Sequence, residues 1–179
     1  MDLLLHICCA PCSIYSWEYF SGLGYTLQGY FFNPNIHPYR EFARRLETVR
    51  TLGQVENRTI ICNETYLLED FLRQAINAQA ERCRFCYGMR LGETARYAGE
   101  TGITYISTTL LLSPYQKHGQ LKSAGEKAAA RAGVNFIYAD LRHGFAQSMR
   151  KAKEKELYRQ GYCGCIFSEK ERFYPRSHL

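Results

Sequence analysis

Three tight clusters, Cys8-Cys9-x-x-Cys12, Cys83-x-x-Cys86 and Cys163-x-Cys165, hold seven of the chain's eight cysteines. Thiolates packed this closely select soft or borderline metals, above all iron–sulfur clusters and zinc. The clusters run from one end of the chain to the other, so they meet only if the whole fold is built around their meeting point. One four-ligand metal cannot use seven thiolates. The surplus implies a cluster plus a second metal, a redox-active pair able to form a disulfide bond, or both. Cys83-x-x-Cys86 alone fits zinc ribbons, redox dithiols and iron–sulfur sites alike. Cys8 and Cys9 are adjacent, and adjacent side chains of a strand point opposite ways; both reach one site only if the strand ends there. Arg82 and Arg84 bracket Cys83 and could tune its potential or meet phosphate. Cys62 stands alone after Ile60-Ile61 and reads as a buried core thiol.

The elements that must position these groups alternate. Leu3 to Ile7 reads as a buried strand, Tyr25 to Phe32 as an aromatic-rich strand, and Arg58 to Cys62, Ile103 to Thr108 and Val134 to Ala139 as further strands. Helices are predicted from Ser13, as cap, to about Leu23, then over Tyr39–Leu52, Tyr66–Ala80, Arg84–Ala98, Gln120–Ala132 and Phe145–Tyr158. Asn33 to Pro38 and Leu110 to Tyr115 read as loops, broken by proline. Strands alternating with helices give an α/β fold, a Rossmann-like parallel sheet with flanking helices. Ligands of such sheets bind beyond the carboxyl ends of the strands. Cys8-Cys9, the Asn33 loop, Thr108-Thr109 and Asp140 each follow a strand and are expected on that rim. Cys83 and Cys86 begin a helix, where free N–H groups and the dipole favour thiolate.

The 179 residues suit one domain, 1–179, and 46% hydrophobic content supplies a core without disulfide staples. The N-terminus lacks a basic segment with a small-residue cleavage site, so no signal peptide is expected. No apolar run approaches the ~20 residues that span a bilayer. The expected compartment is the cytoplasm, where thiols stay reduced. A net charge of +6 and a pI of about 8.9 point weakly to an anionic partner. Fourteen Tyr beside ten Phe offer rings for unpaired bases, though most are expected to fill the core.

Among single residues, His6 alternates with Cys8 and reads as a satisfied core histidine, whereas His37, in a proline-flanked loop, is the better functional candidate. Arg44-Arg45 and Arg150-Lys151 read as solvated helix faces. A zinc-stabilised RNA-binding module and a tRNA sulfur-transfer enzyme, with persulfide on Cys165 or Cys12, also accommodate the thiols. The first strand lacks a phosphate-cradling Ser-Gly-Gly loop, which weighs against ATP use.

Five motifs in order carry a resemblance: His6-x-Cys8-Cys9-Ala10-Pro11-Cys12-Ser13, Asn33-Pro34-Asn35-Ile36-His37-Pro38, Arg82-Cys83-x-x-Cys86-Tyr87-x-x-Arg90-Leu91, Thr108-Thr109-Leu110-Leu111-x-Ser113-Pro114-Tyr115-Gln116 and Tyr158-Arg159-Gln160-x-Tyr162-Cys163-Gly164-Cys165. Together they resemble the cobalamin-independent epoxyqueuosine reductases, the QueH family, from Leu3 to about Ser168. The resemblance implies an oxidoreductase of queuosine biosynthesis that removes the epoxide oxygen of epoxyqueuosine in the tRNA anticodon. It implies a [4Fe–4S] cluster, an additional iron, no cobalamin and an external electron donor. It implies Cys8, Cys9, Cys12, Cys83, Cys86, Cys163 and Cys165 as the metal-binding group. The division expected is Cys83, Cys86 and at least one of Cys8 and Cys9 on the cluster. Cys12 with one or both of Cys163 and Cys165 then takes the second iron. Asp140, Tyr115 and His37 are candidate proton donors by rim placement. Asn33, Arg90, Thr108, Thr109, Gln116 and Arg142 are candidate substrate-binding residues.

Overall fold

A computed structural model describes residues 1–78 and 81–174. Five strands form one parallel sheet in the order β3-β2-β1-β4-β5: β1 Asp2–His6, β2 Thr26–Phe31, β3 Ile60–Cys62, β4 Tyr105–Thr108 and β5 Asn135–Phe136. The apolar run Leu3-Leu4-Leu5 has no neighbour but protein on either side, and all three leucines are buried, as the central strand of a two-sided parallel sheet requires. The chain builds outward to β2 and β3, then crosses back to β4 and β5. The order therefore reverses beside β1, where the crevice of such a sheet lies.

Helices α1 Ala10–Gly22 and α2 Tyr39–Val55 follow β1 and β2; α3 Leu68–Ala78 and α4 Arg82–Glu100 follow β3; α5 His118–Ala132 follows β4; α6 Phe145–Glu154 and α7 Ile166–Phe173 complete the chain. One core cluster joins Ile7, Ile14, Phe31, Phe42 and Val49 under α1 and α2. Another joins Leu4, Leu91, Ala95, Ile106 and Leu121 under α4 and α5. Emptying such a site, as in Phe31→Ala, costs about 3–5 kcal/mol. Gly29 is required by close approach: a Cβ there would stand 2.5 Å from the Ile7 Cδ1 atom.

Several boundaries differ from expectation for local reasons. α1 begins at Ala10, with Cys9 as its N-cap in extended conformation and Pro11 in the first turn. Ser13 is therefore inside the helix and donates back to the Ala10 carbonyl at 2.8 Å rather than capping. The expected loop after Thr108 opens as a 3-10 turn, Thr109–Leu112, because the Thr108 hydroxyl caps the Leu110 N–H. α6 stops at Glu154, four residues early, and Glu156 turns left-handed at φ 54°. β5 is Asn135–Phe136, two residues instead of six, so Asp140 does not directly follow the strand as expected. α7 was not foreseen; the end of the helix predicted to Ala80 falls at residues 79–80, outside the described residues. Among the described residues, no helix is long and apolar enough to cross a membrane.

Candidate metal centre

β1 ends at His6, and Cys9 caps the helix that follows, so the turn between them releases both neighbouring sulfurs toward one side. The ligand atoms of Cys8, Cys9 and Cys12 all lie within 4.8 Å of one another, and all three residues are buried. The trio holds negative charge best at Cys9. Hydrogen bonds from Cys12 and Cys8 hold the Cys9 thiol well below its ordinary range, with Arg45 and the Gln160 amide adding to them against the cost of burial. Gln160 Nε2 donates to Cys9 Sγ at 3.1 Å. For Cys8, the hydrogen bond with Cys12 favours thiolate. Its hydrogen bond to Cys9, its burial and the Cys9 charge outweigh that and push it up to about 11. Cys12 is pushed up well above its usual value by its hydrogen bonds to Cys8 and Cys9, then by burial. Thr109 ties the turn to β4: its Oγ1 accepts the Cys8 N–H at 3.0 Å and its hydroxyl donates to Cys8 Sγ at 3.2 Å.

The other four thiols line an adjoining cavity of about 250 Å³, together with Tyr87, Arg90, Tyr115 and Gln116. Cys163 also borders a second cavity, about 180 Å³, which it shares with Cys12. It therefore stands between the trio and the pair at the start of α4. Gln116 Nε2 donates to Cys163 Sγ at 3.1 Å, and the Ser113 hydroxyl lies 3.2 Å from the same sulfur. The Tyr87 hydroxyl holds Gln116 in place at 2.8 Å. Gly164 sits at φ +137°, a backbone conformation that side chains rarely adopt, and this lets the two flanking cysteines fold over the site. The Asn35 amide reaches the Gly164 carbonyl at 3.5 Å, and the Tyr162 hydroxyl donates to the His37 carbonyl at 3.1 Å.

Cys83 and Cys86 stand in the first turns of α4, as expected. Burial pushes both thiols up, Cys86 to about 11, although Arg90 opposes it at Cys86 and Lys117 and Arg82 oppose it at Cys83. Burial opposes thiolate at both positions, and a bound cation favours it. All eight cysteines are free, so the expected disulfide is not formed. Cys62, at the end of β3, is half-buried rather than fully buried.

The remaining candidates separate into framework and surface. Thr108 and Thr109 are fully buried, and Thr108 is consumed by His6, at 2.8 Å, and the Leu110 N–H. Asn33 is spent internally: its amide donates to the Ile7 carbonyl at 2.9 Å and its oxygen accepts from Arg90 at 2.5 Å. All three are buried, and Thr109 holds the Cys8 turn. His6 is the satisfied core histidine expected, its second nitrogen 3.1 Å from the Phe32 carbonyl. His37 is buried, its pKa lowered by that burial, and bonded through Nδ1 to the Tyr66 hydroxyl at 3.1 Å, with Nε2 unpartnered. Tyr115 is 64% exposed and lines both cavities. Asp140 and Arg142 are exposed and paired with each other at 2.5 Å. Hydrogen bonding from Arg142 holds the Asp140 carboxyl well below the usual carboxylate range, so it carries no proton to give.

Sequence reasoning missed Arg45, read as part of a solvated face. It is buried, bonded to Glu41 at 2.6 Å, and lies 5.2 Å from the Tyr162 ring. Burial opposes its charge, but Cys9 and Glu41 hold it protonated. Its i,i+4 pairing with Glu41 was the available signal. Gln160 and Ser113 were missed as well; both sit within quoted motifs. A larger cavity, about 590 Å³, runs along α4 and α5 and has no cysteine in its lining. The thiol-lined cavities therefore define the site despite their smaller size. An all-sulfur donor set with two buried arginines beside it fits an anionic iron–thiolate group.

Comparison with known proteins bears on this site. A profile of the family described as "Epoxyqueuosine reductase QueH" matches residues 3–171. The epoxyqueuosine reductase QueH of Dehalococcoides mccartyi is 43% identical over 171 residues, which cover 96% of this chain and 94% of that one. The protein of the same name from Thermotoga maritima is 30% identical, covering 95% and 91%. That from Streptococcus pyogenes is also 30% identical, covering 94% and 71%. Among solved structures, a predicted subunit of tRNA methyltransferase from Methanocaldococcus jannaschii aligns with a TM-score of 0.53 at 12% identity, over 88% of this chain and 89% of that one, and shares the fold.

Proposed function

We propose that this chain, which belongs to the epoxyqueuosine reductase QueH family, takes the epoxide oxygen from epoxyqueuosine in a tRNA anticodon. Two electrons and two protons convert the epoxide to the alkene of queuosine and release water. The observation that carries this reading is the convergence of seven thiols, three of them within 4.8 Å, beyond the carboxyl ends of a parallel sheet. A [4Fe–4S] cluster would be held by Cys83, Cys86 and at least one of Cys8 and Cys9. Cys12 with one or both of Cys163 and Cys165 would hold an additional iron, an assignment supported by the cavity that Cys12 and Cys163 share. Bound there, the centre supplies single electrons and a Lewis-acidic iron for the epoxide oxygen, with no corrinoid.

The chain's own residues do the rest. Arg45 offsets the charge of Cys9, and Arg90 that of Cys8 and Cys86. Gln160, Thr109 and Gln116 donate to individual sulfurs, the Ser113 hydroxyl shares a hydrogen bond with Cys163, and together they fix the sulfurs' orientation, as outer-shell partners of metal ligands do. Tyr115, between both cavities, is the proton donor best placed at its phenol oxygen. His37 is shielded behind Tyr66 and Tyr162, and Asp140 is already ionised. An external donor supplies the electrons, and the cytoplasm is the compartment that keeps the thiols free. Anaerobic purification with iron and sulfide counting tests the reading. It expects absorption that bleaches on reduction and more iron than the cluster's own four atoms. Stoichiometric zinc without sulfide rejects it.

A further inference from the structure

The cations of this chain fall into two populations. Many face carboxylates: Arg50 with Glu64, Arg58 with Glu56, Arg96 with Glu93 and Glu100, Lys151 with Glu18. Around the segment that carries Arg159 to Cys163 the pattern changes. Arg40, Arg44, Arg159 and Arg172 are exposed, and none is ion-paired among the described residues. Arg40 and Arg44 line a cavity of about 380 Å³ on one side of the segment. Arg159 and Arg172 line the cavity over Cys12 and Cys163 on the other, and Tyr162 borders both. Two of the four lie against rings instead of acids, Arg44 at 3.8 Å from Tyr158 and Arg172 at 5.7 Å from Phe173. Such contacts fix a guanidinium without cancelling its charge. The acids bordering this face are Glu41 and Glu169, and Glu41 is occupied by Arg45 and Tyr158. The thiol cavity is also walled by Tyr115 and Phe145, edge to face at 6.1 Å.

Four guanidiniums without a carboxylate partner flank the segment that carries Arg159 to Cys163, and such groups match phosphate geometry. Aromatic walls beside them suit an unpaired base. We propose that this face binds the phosphate backbone of a single-stranded RNA loop, and that one unpaired base enters the cavity walled by Tyr115 and Phe145 over Cys12 and Cys163. The identity of that RNA rests on the reading above, a tRNA anticodon loop. The alternative groove along α4 and α5 carries Lys127 and Arg131, also unpaired among the described residues. Its other two cations face acids, and it has no aromatic wall.

Equilibrium binding of the metal-loaded protein to an anticodon stem-loop RNA, followed by fluorescence anisotropy across a salt series, tests the proposal. The double variant Arg44→Ala/Arg159→Ala should lose at least about tenfold in affinity. Its log–log salt slope should fall by roughly 1.4, about 0.7 for each single-strand phosphate contact. Iron content and thermal midpoint should be unchanged. Phe145→Leu, which keeps an apolar side chain, should lose about tenfold through stacking alone, with the salt slope intact. Lys127→Ala/Arg131→Ala should bind as the unaltered chain does. Unchanged affinity and slope in the arginine variant overturn the proposal even if the protein reduces its substrate. So does an equal loss in the Lys127/Arg131 variant, or slowed reduction by an acidic redox protein with RNA affinity intact. An unaltered protein that binds the RNA through this face yet never converts epoxyqueuosine leaves the surface standing and rejects the catalytic reading.

Discussion

His6 is a single-proton test of how the end of β1 is held. The Leu110 N–H donates to Thr108 Oγ1 at 3.1 Å, which turns the Thr108 hydroxyl toward His6 Nδ1 at 2.8 Å. The ring proton then sits on Nε2 and is donated to the Phe32 carbonyl at 3.1 Å. Only the neutral imidazole satisfies this chain. Burial, and next the positive charge of Arg90, lower the His6 pKa from 6.5 to about 3. Between those values the unfolded chain binds a proton that the folded one refuses, so stability rises with pH across that window and is complete above its upper end. The contribution amounts to about 5 kcal/mol in full, and about 3 kcal/mol is already lost two units below the upper end, at about 1.4 kcal/mol per unit. That is a large share of the 5–15 kcal/mol typical of a domain. Urea unfolding of the metal-free, reduced protein from about pH 7 to about pH 4 measures it. His6→Gln should start less stable, because Thr108 and Phe32 lose their partner at about 1–3 kcal/mol. It should then lose about 1.4 kcal/mol per unit less than the unaltered chain on acidification. Parallel pH profiles for the two proteins would refute the assignment of a buried, neutral His6.

Further expectations concern the thiols and the acid. Cys62→Ala should keep the full iron content and lose roughly 1 kcal/mol of stability; iron loss matching that of Cys83→Ala would make Cys62 a ligand. Cys163→Ala or Cys165→Ala should leave the cluster's absorption in place while abolishing turnover, and loss of the cluster in both would reverse the division of ligands. Tyr115→Phe should slow queuosine formation by at least ~10²-fold with metal content intact. Asp140→Asn should change it less than tenfold, since the carboxylate is ionised against Arg142; the opposite ranking would return the acid role to Asp140. Because the hydrogen bond with Cys9, and then burial, raise Cys8 to about 11 and burial raises Cys86 to about 11, each from an ordinary 9, the metal-free protein should lose stability as pH rises from about 9 toward about 11. Chemical denaturation over that range checks the sign.

The sheet was legible because its central strand is a continuous apolar run, Leu3-Leu4-Leu5, and because strands alternate with helices along the chain; the rim followed because parallel strands all end on one side. What the sequence hid was tertiary. Arg45 looks like its neighbour Arg44, and only the packing of residues 158–163 over α2 separates a buried guanidinium from an exposed one. Thr108 and Asn33 stand on the rim as expected, yet their polar groups are consumed by His6 and Arg90, a fact that no spacing encodes. Asp140 was placed by assuming a six-residue last strand. The edge strand pairs over only two residues, and the loop beyond it carries the carboxylate out to Arg142. The Cys163-Gly164-Cys165 turn was readable, because glycine between two thiols allows a backbone that other residues resist.

The central claim is that the converging thiols hold a centre that deoxygenates an anticodon base. The direct measurement is mass analysis of an epoxyqueuosine-containing anticodon stem-loop after anaerobic incubation with the iron–sulfur-reconstituted protein and a chemical reductant. The account predicts conversion to queuosine with loss of one oxygen atom, dependent on Cys8 and Cys83 and independent of added cobalamin. Unchanged RNA from a protein shown to carry its full iron and sulfide would contradict it.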